Sequence, residues 1–225
     1  LNTLPGFSFV WAGNEKLVYK TVPANRNPMP EKKPAPAGPV IQESLGKQGA
    51  SRTYQDLIKN PYDEEMFTYL TTAQLMVNDF KSEQALGTPD IYSLVSVSPD
   101  NNYILVSTVA KPFSYLVPYT RFPQRVYIMS MKGVIVKTLA SNPSAEGAPI
   151  GFDDVPEYPR NFQWRADVPA TIVYVQAVDK GMGRSKSEFR DVAYAINALS
   201  QEPPIELFKT HKRFQGIIWG DKEHA

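Results

Sequence analysis

The chain has 225 residues, 42% of them hydrophobic and 12% aromatic, which is enough apolar side chain for a sizeable core and too much for a disordered segment. A formal net charge of +1 supplies no global field, so nucleic acid and membrane surfaces are poor partners, and no apolar run nears the roughly 20 residues that span a bilayer. With no cysteine, disulfides and thiolate metal sites are excluded.

The chain opens at Leu1, within sequence that already reads as structured and without an initiator Met. The expectation is a processed or trimmed chain whose targeting cannot be read. The first predicted strands are Phe7 to Trp11 and Lys16 to Lys20, joined by a turn at Gly13-Asn14. A long insertion, Thr21 to Thr72, follows. Its first half, Pro23 to Pro39, is Pro-rich and reads as extended. In its second half, Tyr54, Leu57 and Ile58 share one helical face, and Met66, Phe67 and Leu70 share another. Asn60-Pro61 separates the two, and Asp63 is the predicted cap of the second, with Glu64 and Glu65 at its positive end. That placement makes the acidic trio helix-start chemistry and not a catalytic carboxylate pair. Ala73 to Phe80 and a short strand near Gln84 to Leu86 complete the first sheet.

The next sheet reads more cleanly. Leu94 to Ser98, the turn Pro99-Asp100-Asn101-Asn102 and Tyr103 to Val109 precede a hairpin, Arg125 to Met131 and Val134 to Leu139, turning at Lys132-Gly133. Between its second and third strands lies Lys111 to Arg125, a loop with three prolines, four aromatic residues and two arginines. Such a loop is either a rigid recognition surface with fixed cations or a cover packed over the sheet. A third sheet runs Asn161 to Trp164, Thr171 to Val178, Asp191 to Asn197 and Ile205 to Lys209.

A strand–turn unit recurs at the head of each sheet: Phe9 to Asn14, Val97 to Asp100, Phe162 to Asp167 and Ile217 to Asp221. Repetition of this kind marks a β-propeller. The fold class is therefore all-β, a propeller portion of about three four-stranded antiparallel blades plus one strand, with a short helical insertion in the first blade. One partial domain covers 1–225: a blade at 1–90 with its insertion at 21–72, blades at 91–141 and 159–210, and a partial blade at 213–225. Trp11, Trp164 and Trp219 are expected to pack between blades. The extra length in every blade falls between its second and third strands, which places all the insertions on one face.

Chemistry is sparse. No Gly-x-Ser-x-Gly occurs, and the only histidines are His211, read as a solvated blade-edge residue, and His224 in the terminal tail. Asp153-Asp154 is too short a cluster for a metal, and Gly181-Met182-Gly183-Arg184 opens no helix and lacks phosphate-loop spacing. The sequence implies no cofactor, no metal and no assembled active site in this chain.

Several segments resemble one family closely. They are Arg52-Thr53-Tyr54-Gln55-Asp56-Leu57, Lys111-Pro112-Phe113-Ser114-Tyr115-Leu116-Val117-Pro118 with Arg121-Phe122-Pro123, and Pro159 to Asp167. Pro169-Ala170-Thr171, Phe189-Arg190-Asp191, Lys209-Thr210 with Arg213-Phe214, and Gly38-Pro39 with Gln42-Glu43 add to them. Together they resemble the prolyl oligopeptidase-like serine peptidases, in the branch that includes the glutamyl endopeptidases of plastids and bacteria. The chain departs from that pattern at Asn101-Asn102, where Asp-Gly is more usual, and at Lys180-Gly181.

The resemblance implies a parent in which an N-terminal propeller caps a C-terminal α/β-hydrolase domain bearing the Ser-Asp-His triad. No triad residue maps onto this chain, which alone should be inactive. The implied role is a non-catalytic propeller segment that gates access and contributes to binding a peptide substrate. Arg121 and Arg125 are the candidates to hold a substrate carboxylate, with Tyr115 and Tyr119 as peptide contacts. The alternatives are a stand-alone scaffold for a protein or peptide, and a carbohydrate-binding propeller. A downstream Gly-x-Ser-x-Gly with later Asp and His would separate the first reading from these. Open sheet edges predict self-association of the segment alone. The compartment is unread, with a periplasmic or secreted bacterial setting ahead of a plastid-type organelle.

Overall fold

The computed structural model describes residues 1–32, 54–148 and 151–220. Lys33 to Thr53, including Arg52 and the Pro-rich run up to Pro39, lie outside the described residues, as do Pro149-Ile150 and Asp221 to Ala225. The strands fall into three antiparallel sheets of four, each in simple meander order. The first holds β1 (Phe9–Ala12), β2 (Lys16–Thr21), β3 (Ala73–Asn78) and β4 (Glu83–Asp90). The second holds β5 (Tyr92–Val97), β6 (Tyr103–Val109), β7 (Gln124–Ser130) and β8 (Ile135–Asn142). The third holds β9 (Arg160–Trp164), β10 (Thr171–Ala177), β11 (Asp191–Asn197) and β12 (Ile205–Thr210). Strands β1, β5 and β9, the first of each sheet, lie side by side. The arrangement is propeller-like, and each sheet is one blade.

Adjacent blades pack face to face, and this explains the composition of their middle strands. In β6, Ile104 and Val106 point into the cluster shared with the first blade, together with Val18, Leu75 and Met129. Leu105 points the other way, joining Ile128, Trp164 and Ile172 in the cluster shared with the third blade. A strand covered on both faces needs apolar residues at successive positions, so β6 reads as a continuous run instead of an alternating one. Each fully buried residue of this kind contributes about 2 kcal/mol.

Trp164 packs between blades as expected: it is buried, and its indole Nε1 donates to the Ser96 carbonyl 2.9 Å away on the neighbouring blade. Trp11 does not. It is 56% exposed and touches Phe80 of its own blade at a ring-centroid distance of 6.2 Å. The reason is geometric, since no blade covers that face of β1 among the described residues. At the equivalent place in the second blade stands the buried Ser98, whose hydroxyl donates to Asp100 at 2.5 Å and accepts from the Tyr103 amide at 3.0 Å. Asn101 adopts a positive φ of 59° there, which an Asx turn tolerates.

The strand predicted at the fourth repeat, Ile217 to Trp219, is not formed. Residues 213–220 run as coil, with Phe214 and Ile217 against Val175 and Ala193 on the far side of the third blade. A strand needs a ladder partner, and none adjoins this segment among the described residues.

The insertion helix is α1 (Pro61–Thr71). Its cap is Asn60 and not Asp63: the Asn60 side chain accepts from the Asp63 amide at 3.0 Å. Asp63 returns the contact by accepting from the Lys59 amide and the Asn60 side-chain amide, both at 3.0 Å. The reciprocal pair resembles a capping box, with Pro61 in the first turn, where its missing N–H costs nothing. Tyr54 to Ile58, expected as a helical turn, is irregular. Tyr54 and Ile58 instead pack as isolated apolar side chains beneath the 111–125 loop.

Candidate functional site

Links between second and third strands, and links between blades, meet on one face of the fan, as the sequence implied. Two insertions build most of that face. From the second blade, Phe113, Val117 and Phe122 turn inward onto Ile91 and Val109, and α1 closes over them with Phe67. Phe113 and Phe122 stack at 5.2 Å, and Phe67 meets both edge-on at 5.1 and 5.9 Å. Half of the aromatic loop is thus a local core. The other half faces out.

The loop is also pinned by polar contacts. Ser114 donates its hydroxyl to Glu146 at 2.7 Å and accepts from the Leu116 amide at 3.0 Å. Lys111 pairs with Glu64 of α1 at 3.2 Å. Pinning of this kind removes loop entropy before any partner arrives, which suits a recognition surface.

The four sequence candidates part company here. Tyr115 donates its hydroxyl to Glu64 at 3.2 Å and so belongs to the helix side. Arg125, the second residue of β7, lies on the face toward the first blade and pairs with Asp90 at 3.3 Å, its side chain 58% exposed. Tyr119 and Arg121 form one short 3-10 turn, with Arg121 donating to the Ala145 carbonyl at 3.4 Å. These two sit toward the third blade. The structure therefore brings together Tyr119 and Arg121, and sends Tyr115 and Arg125 elsewhere.

Beside that turn, between the second and third blades, lies a cavity of ≈ 470 Å³ lined by Ser93, Ser107, Tyr119, Asn142, Tyr158 and Arg160 among others. It opens where the inter-blade cluster of Leu105, Ile128 and Trp164 stops, because small serines replace bulky apolar residues at the strand ends. Asn142 is spent in part, donating to the Pro159 carbonyl at 2.8 Å. Burial pushes the Tyr158 phenol upward in pKa, and the positive charge of Arg121 works against that shift. A larger cavity of ≈ 1070 Å³ lies beside α1, where Arg26 stacks on the Tyr69 ring at 3.5 Å. Its lining reaches Pro30, three residues from the stretch outside the described residues.

Behind the smaller cavity runs a chain of charges in which Asp179, Asp191 and Arg213 are buried and Arg160 and Arg190 are half-buried. Arg160 pairs with Asp191 at 2.6 Å, Asp191 with Arg213 at 3.2 Å, Arg213 with Asp179 at 2.8 Å, and Asp179 with Arg190 at 2.9 Å. Burial works to raise the Asp179 pKa, but hydrogen bonds from Arg213 and Arg190 hold it below the usual carboxylate range. The network seats the loop 178–190, in which Gly181 has a φ of +71° and a Cβ would fall 1.9 Å from the Val155 carbonyl oxygen. Among the described residues, no cluster of three or more His, Asp or Glu residues could hold a metal. His211 stacks on Phe189 at 4.7 Å near the edge of the third blade.

Sequence reading missed Ser107, Asn142, Tyr158 and Arg160. The one available signal was Ser107-Thr108, a hydroxyl pair interrupting an otherwise apolar strand.

No family model matches the chain. Over 222 residues it is 35% identical to a probable chloroplastic glutamyl endopeptidase of Oryza sativa subsp. japonica, covering 97% of this chain and 24% of the relative. Its counterpart in Arabidopsis thaliana is also 35% identical, over 218 residues, covering 95% of this chain and 23% of the relative. The chain thus spans about a quarter of the length of the curated relatives it matches. Among solved structures, an acylaminoacyl peptidase in complex with Z-Gly-Gly-Phe-chloromethyl ketone aligns with a TM-score of 0.39 and 13% identity, over 62% of this chain and 22% of that one. That likeness is too low to carry an argument.

Proposed function

Because this chain belongs to the glutamyl endopeptidase family, as a segment about a quarter of its relatives' length, we propose that it forms part of the gate of a serine peptidase. In this reading the hydrolytic triad lies in an α/β-hydrolase domain elsewhere in the parent chain, and this segment restricts which substrates reach it. The observation that carries the reading is the single face on which α1, the pinned aromatic loop and the inter-blade cavity converge. A rigid scaffold presenting loops on one side is suited to covering a partner domain and touching what passes between them.

Within that reading, Tyr119 and Arg121 contact the peptide, because they share one turn at the mouth of the cavity. Arg125 and Tyr115 contribute only after release from Asp90 and Glu64. The test compares full-length protein with a double Arg121→Gln, Arg125→Gln variant on peptides that differ only in Glu or Gln at the cleaved position. A selective loss of kcat/KM on the Glu peptide is expected, about tenfold or more. Unchanged specificity would remove both arginines from the proposal. Gating has its own readout: an unfolded chain should be cleaved far faster than the same sequence held in a folded domain.

A further inference from the structure

On the insertion face, the third blade carries two links that are clamped into one unit. Residues 151–155 of the link between β8 and β9 lie against residues 179–183 of the link between β10 and β11. The Val155 amide donates to the Gly181 carbonyl at 3.0 Å, and the Gly183 amide donates to Asp154 Oδ1 at 2.5 Å. The other Asp154 oxygen accepts from the Gly151 amide. Arg213 Nε donates to the Asp153 carbonyl at 2.7 Å, and Arg190 donates to the Met182 carbonyl at 2.9 Å. A Cβ on Gly183 would collide with the Phe152 carbonyl oxygen, so the two backbones touch. The ionic network of the third blade thus fixes the backbone beside Phe152 and at Met182.

The side chains on this unit point away from it. Phe152 is 90% exposed, more than any other aromatic side chain among the described residues, and Met182 is 51% exposed. Neither lines the two cavities described above. A ring standing proud of a fixed backbone fits a concave partner and not a small ligand, and it loses little conformational freedom on docking. Lys180, Arg184 and Lys186 are exposed in the same loop and make no ion pair among the described residues. The matching partner is an apolar socket with acidic groups at its rim. This chain covers 24% and 23% of its curated relatives, which leaves most of a parent of that length to supply the socket. Both links open on the face that carries the aromatic loop, the face proposed above to cover a partner domain.

We propose that Phe152 and Met182 form an anchor by which this face docks into an apolar, acid-rimmed socket on a domain of the parent chain outside residues 1–225. The inference deepens the gate reading by naming the surface through which the gate is seated, but it does not require that domain to be a peptidase.

The test places the photo-cross-linker p-benzoylphenylalanine at position 152 of the full-length protein and maps the cross-linked peptides by mass spectrometry. The main product should join position 152 to a segment outside 1–225 of the same molecule. The same probe at Ile205, 68% exposed on the outer strand β12, serves as the control and should give far less of such a product. Met182→Ser, and separately Lys180→Glu with Arg184→Glu, should each lower the yield from position 152 by about fivefold or more. Cross-links only within 1–225, only between molecules or not at all overturn the anchor, as do equal yields from the two probe positions. An undiminished yield in the charge-reversed variant overturns the acidic rim. Both probe positions and all three substitutions are on exposed side chains, so none of them disturbs the ionic network. Absence of peptide cleavage by the unaltered protein would defeat the peptidase reading alone and leave a mapped contact standing. Normal cleavage with no such contact would defeat the anchor alone.

Discussion

Lys20 shows how one side chain ties blades together. It is fully buried, and its ammonium donates to the carbonyls of Leu4, Pro5 and Tyr92 at 3.1, 2.9 and 3.4 Å, beneath the Phe7 ring at 4.5 Å. The N-terminal segment and the first strand of the second blade are thereby held by a single cation. Burial lowers its pKa from 10.5 to about 8. The unfolded chain then binds more protons than the folded one between those values, so this residue makes stability rise with pH across that window. Below about pH 8 both states are protonated, and the contribution is gone. Denaturant midpoints at pH 7.5 and 10 should therefore move upward in the unaltered protein relative to Lys20→Met; parallel shifts would refute the assignment. Arg213 sits at the centre of the other buried network. Arg213→Met leaves Asp179 and Asp191 short of their shared cation and should cost about 3–5 kcal/mol in chemical denaturation.

At the scale of elements, α1 was legible as a helix because Met66, Phe67 and Leu70 keep helical spacing. Its cap was misread because Asn60 and Asp63 both carry acceptors, and only the chain's path settles which accepts first. Asn60→Ala should lower stability by about 1 kcal/mol and loosen α1 from the aromatic loop, seen as faster amide exchange over 61–71. Strand positions were legible for a similar reason. A strand buried on both faces is apolar at successive positions, so β6 between two blades is recovered residue for residue, as is β11, whose outer face is covered by Phe214 and Ile217. The outer strand β4 was the least visible: Glu83 to Asp90 packs on one side only, and its exposed residues carry little pattern. Gly181 is an element-scale constraint of another kind. Gly181→Ala imposes a positive φ on a side chain that also meets the Val155 carbonyl, and should cost about 3 kcal/mol.

Taken whole, the molecule is three blades in a row, with different surfaces at the two ends. The third blade is covered by Phe214 and Ile217, whereas Trp11, Phe80 and Phe9 of the first blade stand exposed. Exposed aromatic faces associate. The segment prepared alone should self-associate in a concentration-dependent way by size exclusion, and Trp11→Ser with Phe80→Ser should reduce that association; a monodisperse monomer would count against it. The sequence by itself determined three four-stranded sheets, most of their strands and the common face of the insertions, though not the absence of a strand at Ile217 to Trp219. These follow from local apolar patterning and turn chemistry, which each strand carries in its own residues. Only the tertiary structure decided how the site is composed. It separated Arg125 from Arg121, brought Ser107 and Arg160 to one cavity from different blades, and left Trp11 uncovered. Such pairings join residues about 50 positions apart across a blade interface, and no local pattern encodes which strand ends will meet there.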